Sequence, residues 1–339
     1  MKAVATKGPR EFQDIELEAP KAEGKWVTIR VKACAICGSD KSFWEGIYGP
    51  GFIPGHEFAG YIEDGGEYGF KKGTKVVAAE FNSCGECEFC KEGKEELCLQ
   101  MMLDNPGVSA VGAYGEIVRV RGDYVIEMPE DMPFELGAIT EPMAVSLHGV
   151  KQLDLRKGED ILISGNGPIG IYAALAAKLL GAGKVIMTGR SQSRVDFCST
   201  LPFVDVCLSV KDTEYAEKMK ANTPQGGFRS IVDCVGVEDY DDLASYAMNG
   251  ATIVVLGMHA QKASFSTMSF FLKELKLKTG LYFTWREYKE AFEMIRDNQE
   301  LFQKTITSII PATAEEVQKA FVKLFASGNN TECKIVMEH

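Results

Sequence analysis

Between the short apolar run Ile161-Leu-Ile-Ser164 and the helical stretch Ile171–Leu180 stands Gly165-Asn166-Gly167-Pro168-Ile169-Gly170. No other feature narrows the fold so far. A G-x-G-x-x-G sequence carries meaning only where a strand enters it and a helix leaves it, and both flanks read that way here. Gly165 permits the tight turn, Gly167 lets backbone approach a pyrophosphate, and Gly170 lets the helix pack on its strand. The anion then rests on the helix N-terminus, entered through Pro168 and Ile169, where free N–H groups and the dipole favour it. An ordinary strand-to-helix turn is the alternative. Downstream, Val185–Thr188, Ser230–Val235, Thr252–Leu256 and Leu277–Phe283 read as strands, with a helical stretch at Glu214–Ala221. This alternation predicts a parallel sheet with helices on both faces.

The end of the second strand discriminates between dinucleotides. An NAD site places an acidic residue about 20 residues beyond the fingerprint, on the ribose 2′-hydroxyl. Here that region reads Gly189-Arg190-Ser191, with Arg194 a turn later and no acid. A guanidinium and a hydroxyl in place of a carboxylate fit a 2′-phosphate, so NADP(H) is expected over NAD(H). The alternative is that Arg190 is a solvated loop residue.

Upstream, Cys84, Cys87, Cys90 and Cys98 form a C-x2-C-x2-C-x7-C run. Four thiolates close a tetrahedral zinc site with no open position, which makes such a site structural. An iron–sulfur reading fits poorly, because the ferredoxin pattern has a three-residue last gap followed by proline, whereas Leu99 follows here. Cys37-Gly-Ser39-Asp40 and Gly55-His56-Glu57 offer a second, mixed donor set, which leaves room for water or substrate. Cys34, Cys198, Cys207, Cys234 and Cys333 lie among apolar or β-type neighbours and read as small buried hydrophobes.

At 339 residues the chain exceeds what one core usually supports, so more than one domain is expected. Residues 1–149 read as a glycine-broken, strand-rich domain, with strands at Val27–Val31, Lys75–Ala79 and Glu116–Val120 and the metal lobe at 84–98. Residues 150–284 carry the nucleotide-binding pattern. Residues 285–339, with helices at Tyr288–Asp297 and Ala314–Phe325, are expected to return to the first domain. The hydrophobic content is 45% and the charged content 25%. These are the proportions of a globular protein, and no apolar run approaches a membrane span. The formal charge of −11 argues against a nucleic-acid partner. The opening MKAVATKGPREF has no apolar h-region or cleavage signal, so a cytoplasmic location with reduced thiols is expected.

Taken together, Cys37-Gly-Ser-Asp40, Gly55-His-Glu57, the four-cysteine lobe, Thr140-Glu141-Pro142 and the Gly165–Gly170 fingerprint, in that order, resemble the zinc-dependent medium-chain dehydrogenases of the sorbitol (polyol) dehydrogenase branch. The resemblance covers nearly the whole chain. It implies a GroES-like catalytic domain beside a doubly wound, parallel-sheet Rossmann domain, a cleft between them, two zinc ions per chain, and a homodimer or homotetramer joined through the last Rossmann strand. It also implies that Cys37 and His56 ligate the catalytic zinc, that Glu57 and Glu141 supply carboxylate ligation, one of them directly, and that Ser39 hands on the substrate proton. His148 reads as a packed helix residue.

One departure bears on mechanism. Many relatives read C-G-S-D-x-H, with a histidine in the proton relay, whereas Ser42 stands here. A serine has no useful pKa near neutrality, so the proton must leave through water, the cofactor ribose or a carboxylate. The segment Ser42-Phe-Trp-Glu-Gly46 also resembles aminocyclitol-forming dehydrogenases, and Phe43 and Trp44 read either as pocket walls or as core. The expected substrate is a polyol, cyclitol or sugar derivative oxidised or reduced at a secondary carbon. A ketopentose-phosphate type of reductase and a non-catalytic, crystallin-like protein on the same fold are the alternatives; the latter has no use for Cys37, His56, Glu57 and Glu141 together.

Overall fold

The computed structural model describes residues 1–258, 262–326 and 330–339. Ile161–Ser164 is a strand buried at every position, as expected where both faces of a sheet are covered by helices. It lies inside a six-stranded sheet with the order Val206–Ser209, Val185–Gly189, Ile161–Ser164, Phe228–Asp233, Ala247–Val255, Lys276–Thr279. Every pairing is parallel. The first strand in sequence is thus central, and the order reverses beside it, the switch point at which open α/β sheets bind ligands outside their carboxyl ends.

One strand is added to those expected, and one is corrected. Val206–Ser209 is an edge strand of only four residues, too short for its alternating burial to stand out in the sequence. The strand expected at Leu277–Phe283 spans Lys276–Thr279. Gly280 N–H still bonds Val255 O at 3.0 Å. Tyr282, however, has a φ of 52°. A left-handed residue ends an extended segment.

The other sheet is built around the ten-residue strand Trp26–Ala35. Glu57–Asp64 pairs antiparallel along one edge. The other edge is shared by Ile117–Arg121, against Trp26–Arg30, and Lys334–Glu338, against Ala33–Ala35. Lys75–Ala78 and Val125–Glu127 extend the sheet beyond Glu57–Asp64, and Ile306–Pro311 extends it beyond Lys334–Glu338. The chain divides into two compact units. One comprises Met1–Glu141, Thr284–Gly328 and Glu332–His339, and the other comprises Pro142–Phe283 and Asn329–Thr331. The first division falls inside the helix Thr140–Lys151, between Glu141 and Pro142. Trp44 is buried in the core of the first unit against Phe321, with ring centroids 5.7 Å apart. Among the described residues no helix is long and apolar enough to cross a membrane.

Candidate metal centres and dinucleotide site

Three strand ends of the first unit converge. Cys37 lies two residues beyond Trp26–Ala35, His56 and Glu57 open Glu57–Asp64, and Lys334 opens Lys334–Glu338. The register fixes this, since Ala35 faces Glu57 on one side and Val336 on the other. One donor atom each from Cys37, His56 and Glu57 lie within 4.8 Å of one another, close enough for a single ion to reach all three. A thiolate, an imidazole and a carboxylate are a donor set suited to zinc with a further position open.

The surroundings orient these donors. Asp40, fully buried, accepts from the Cys37 N–H at 3.0 Å and from the Tyr114 hydroxyl at 3.0 Å through Oδ2. Its Oδ1 stands 3.7 Å from His56 Nδ1. At that distance the two make no hydrogen bond, and Asp40 acts on the buried imidazole through its charge. Ser39 Oγ, exposed, lies 3.2 Å from Cys37 Sγ. Glu57 is engaged by Lys334, with Nζ at 2.7 Å from Oε1 and 2.6 Å from Oε2, both side chains buried. Lys334 also donates to Ile36 O at 3.1 Å.

Negative charge is in excess here. Burial disfavours the charged form of His56, but Cys37, Asp40 and Glu141 outweigh it and move the imidazole pKa upward. Burial likewise lifts Glu141, helped by Glu80, and lifts Glu80 to about 7. Burial alone would push Lys334 down, yet Glu57 and Cys37 hold it above its usual value. A bound divalent cation answers this surplus.

The four-cysteine lobe fits a second ion. Cys84 Sγ lies 3.8 Å from Cys90 Sγ, and Cys87 Sγ lies 3.5 Å from Cys90 Sγ. Thiolates bound to one zinc at about 2.3 Å are about 3.8 Å apart. The N–H groups of Glu86 and Cys87, at 3.4 and 3.3 Å, hold the Cys84 thiol down to about 6. That is nearer the thiolate a metal needs. All ten cysteines are free of disulfides. Cys34, Cys198, Cys207 and Cys333 are buried, and Cys234 is half-buried.

In the second unit Gly165 has a φ of 112°, and any side chain at Gly170 would meet Gly165 O at 2.0 Å. The helix Pro168–Leu179 starts from Gly167, whose face is open except for the Arg194 guanidinium, which would stand 3.5 Å from an added Cβ. Arg194 Nε donates to Asn330 O. Arg190 is exposed and Ser191 half-buried at the end of Val185–Gly189. A Cβ at Gly189 would lie 2.1 Å from Asn166 Cγ, so any side chain there would have to displace the Asn166 amide. Asp233, at the switch point, accepts from the N–H groups of Val235, Gly236 and Val237 and from the Tyr240 hydroxyl, fixing the neighbouring loop. His148 is buried in the helix Thr140–Lys151, beside the Gln152 amide.

Asp40, Glu80, Asn166 and Lys334 are missing from the sequence-derived site. For Glu80 a signal exists: carrying the antiparallel register Ala59–Val77 three residues further brings Glu80 level with His56.

Residues 23–130 match the family described as alcohol dehydrogenase GroES-like domain, and residues 168–297 the family described as zinc-binding dehydrogenase. L-threonine 3-dehydrogenase of Rhizobium etli (strain CIAT 652) is 32% identical over 276 residues, 79% of this chain and 79% of that protein. Sorbitol dehydrogenase of Bacillus subtilis (strain 168) is 32% identical over 236 residues, 67% of this chain and 66% of that protein. Galactitol-1-phosphate dehydrogenase from Escherichia coli shares the fold at 21% identity, with a TM-score of 0.85 and 100% of both chains covered. The chain belongs to the zinc-dependent medium-chain dehydrogenases of the polyol dehydrogenase type, pairing a GroES-like domain with a Rossmann domain. It is an alcohol or polyol dehydrogenase.

The contact between Gly189 and Asn166 gives a direct test. Gly189→Ala is expected to cost on the order of 1–3 kcal/mol by overpacking, and Asn166→Ala in the same chain should recover most of it, since it removes the colliding atoms. Denaturant melts of the two single variants and the double variant measure the coupling. Additive losses would show that Asn166 does not occupy the space over Gly189.

Proposed function

We propose that the protein is an NADP(H)-preferring, two-zinc oxidoreductase that acts on a secondary alcohol of a polyol, cyclitol or sugar derivative, or on the matching ketone. The observation that carries this reading is the clustering of Cys37, His56 and Glu57 donor atoms beside an exposed serine hydroxyl. Zinc held there polarises an alcohol or carbonyl oxygen as a Lewis acid. Cys37, His56 and Glu57 would hold the ion, with Glu141 acting electrostatically on His56. Asp40 orients the Cys37 backbone and places negative charge beside the His56 ring. Ser39 receives the proton of the substrate hydroxyl at Oγ and passes it to solvent, since Ser42 is exposed and has no useful pKa of its own. A bound nicotinamide would supply or accept the hydride at the substrate carbon.

Cofactor preference follows from the second-strand end. Gly167 and the N-terminus of Pro168–Leu179 take the pyrophosphate, with Pro168, Ile169 and the turn glycines Gly165 and Gly170 shaping the approach. Asn166 fills the space over Gly189 in which an acid would reach the ribose, while Arg190 and Ser191 offer charge and a hydroxyl to a 2′-phosphate, flanked by Arg194. The polyol assignment is supported by the likeness to a sorbitol dehydrogenase. The threonine dehydrogenase likeness adds a hydroxyl-bearing amino acid to the classes to be assayed.

Metal analysis of purified protein is expected to give two zinc ions per chain. Cys87→Ser should lose one together with a large part of the thermal stability, because structural zinc contributes folding free energy directly. Cys37→Ser should lose the other while staying folded. One zinc or none in active wild type would overturn the two-centre assignment.

With polyols and cyclitols as substrates, NADPH and NADP should be used at least about tenfold more efficiently than NADH and NAD in kcat/KM, roughly 1.4 kcal/mol of transition-state binding. Arg190→Ala should remove most of that margin. Equal efficiency in the wild type would leave Arg190 a solvated loop residue.

Ser39→Ala should lower kcat by about 10²–10⁴-fold while zinc content and cofactor affinity stay near wild type, the signature of a lost proton carrier. Ser42→Ala should be mild. Equal damage from the two substitutions would place Ser42 in the relay.

A further inference from the structure

Glu80 has no role in the site as read from sequence, and its position is unusual. It lies two residues beyond Lys75–Ala78, in a buried stretch that runs to Ser83. The residue is 2% exposed, and among the described residues neither Oε1 nor Oε2 accepts a hydrogen bond from another residue. A carboxyl group left so is costly unless something absent from the protein chain answers it. The groups that act on it electrostatically are those of the metal centre: His56, Glu57 and Glu141.

Two neighbouring carboxylates each have a partner on one oxygen: Glu57 Oε1 accepts from Lys334, and Asp40 Oδ2 accepts from the Cys37 N–H and the Tyr114 hydroxyl, while among the described residues Glu57 Oε2 and Asp40 Oδ1 accept no hydrogen bond. Of these three carboxylates Glu80 alone has neither oxygen hydrogen-bonded to another residue. Lys334 is spent on Glu57 and Ile36 O, so it does not serve Glu80. Glu80 does not belong to the mutually close set Cys37, His56 and Glu57; it stands beside it.

We propose that Glu80 is a metal-retaining carboxylate of this centre: a buried acceptor outside the three clustered donors, whose charge and free oxygens help to hold a divalent cation at Cys37, His56 and Glu57. The role rests on reading those three residues as a metal site. It is a positioning role exerted through the ion and its immediate surroundings, of the kind whose removal commonly weakens metal binding by roughly 10–100-fold.

The test measures zinc rather than turnover. Wild type, Glu80→Gln, Glu80→Asp and Cys37→Ser are equilibrated with a graded series of a zinc chelator, and the zinc remaining per chain is determined, with circular dichroism reporting the fold. Glu80→Gln keeps shape and removes charge; it should release one ion at chelator levels about tenfold or more below those needed for wild type, with the four-cysteine ion unaffected. Glu80→Asp keeps the charge and should recover most of the retention, which a packing role would not produce. Cys37→Ser identifies which ion has been lost. Loss in Cys37→Ser with wild-type retention in Glu80→Gln overturns the role of Glu80 alone. Retention of both ions in Cys37→Ser overturns the metal site and the role of Glu80 with it. Should Glu80→Gln prove misfolded, zinc retention in Glu80→Asp below that of a misfolding-free Glu80→Ala decides against the charge, and retention above it decides for it.

Discussion

The first unit is organised around a concentration of buried acid. Asp40, Glu57, Glu80 and Glu141 lie in one region with the Cys37 thiol, and Lys334 is the buried lysine set among them. Isolated buried charges are too costly to persist, so they must be paired, neutralised or bound to a metal. Much of the local architecture follows from that requirement. The Lys334–Glu57 pair ties the strand Lys334–Glu338 to the start of Glu57–Asp64, and Asp40 ties the turn after Cys37 to Tyr114. The Rossmann unit handles its charge differently. Asp233 is surrounded by backbone donors, and the fingerprint helix Pro168–Leu179 has no acidic residue in its first turn.

What could be read from sequence was what is local. Cys84, Cys87, Cys90 and Cys98 are close because their spacing makes them close, and Gly165–Gly170 is a turn because strand and helix flank it. His56 and Glu57 are adjacent in the chain. By contrast, Lys334 meets Glu57 across 277 residues, and nothing in the local composition of Lys334-Ile-Val-Met-Glu338 announces the meeting. Glu80 escaped for a related reason. Its place is set by strand register, which depends on where pairing begins, and a one-residue slip would have turned it to the other face.

The dinucleotide end shows a different kind of blind spot. The absence of an acid at Gly189 was visible, but its physical companion was not: the amide of Asn166, from the end of a different strand, occupies the space a longer side chain would take. The short strand Val206–Ser209 carries too little pattern to be seen in the sequence, and the strand expected at Leu277–Phe283 is shorter, because a left-handed Tyr282 gives no warning in an apolar run.

The pairing of Lys334 with Glu57 also sets an order of events during synthesis. Cys37, His56, Glu57, Glu80 and Glu141 are all made before the Rossmann unit, yet Lys334, which pairs with Glu57, is made only after it. The Lys334–Glu57 pair can therefore form only once the last strand has joined the sheet, so the final residues of the chain are the ones that complete the surroundings of Glu57.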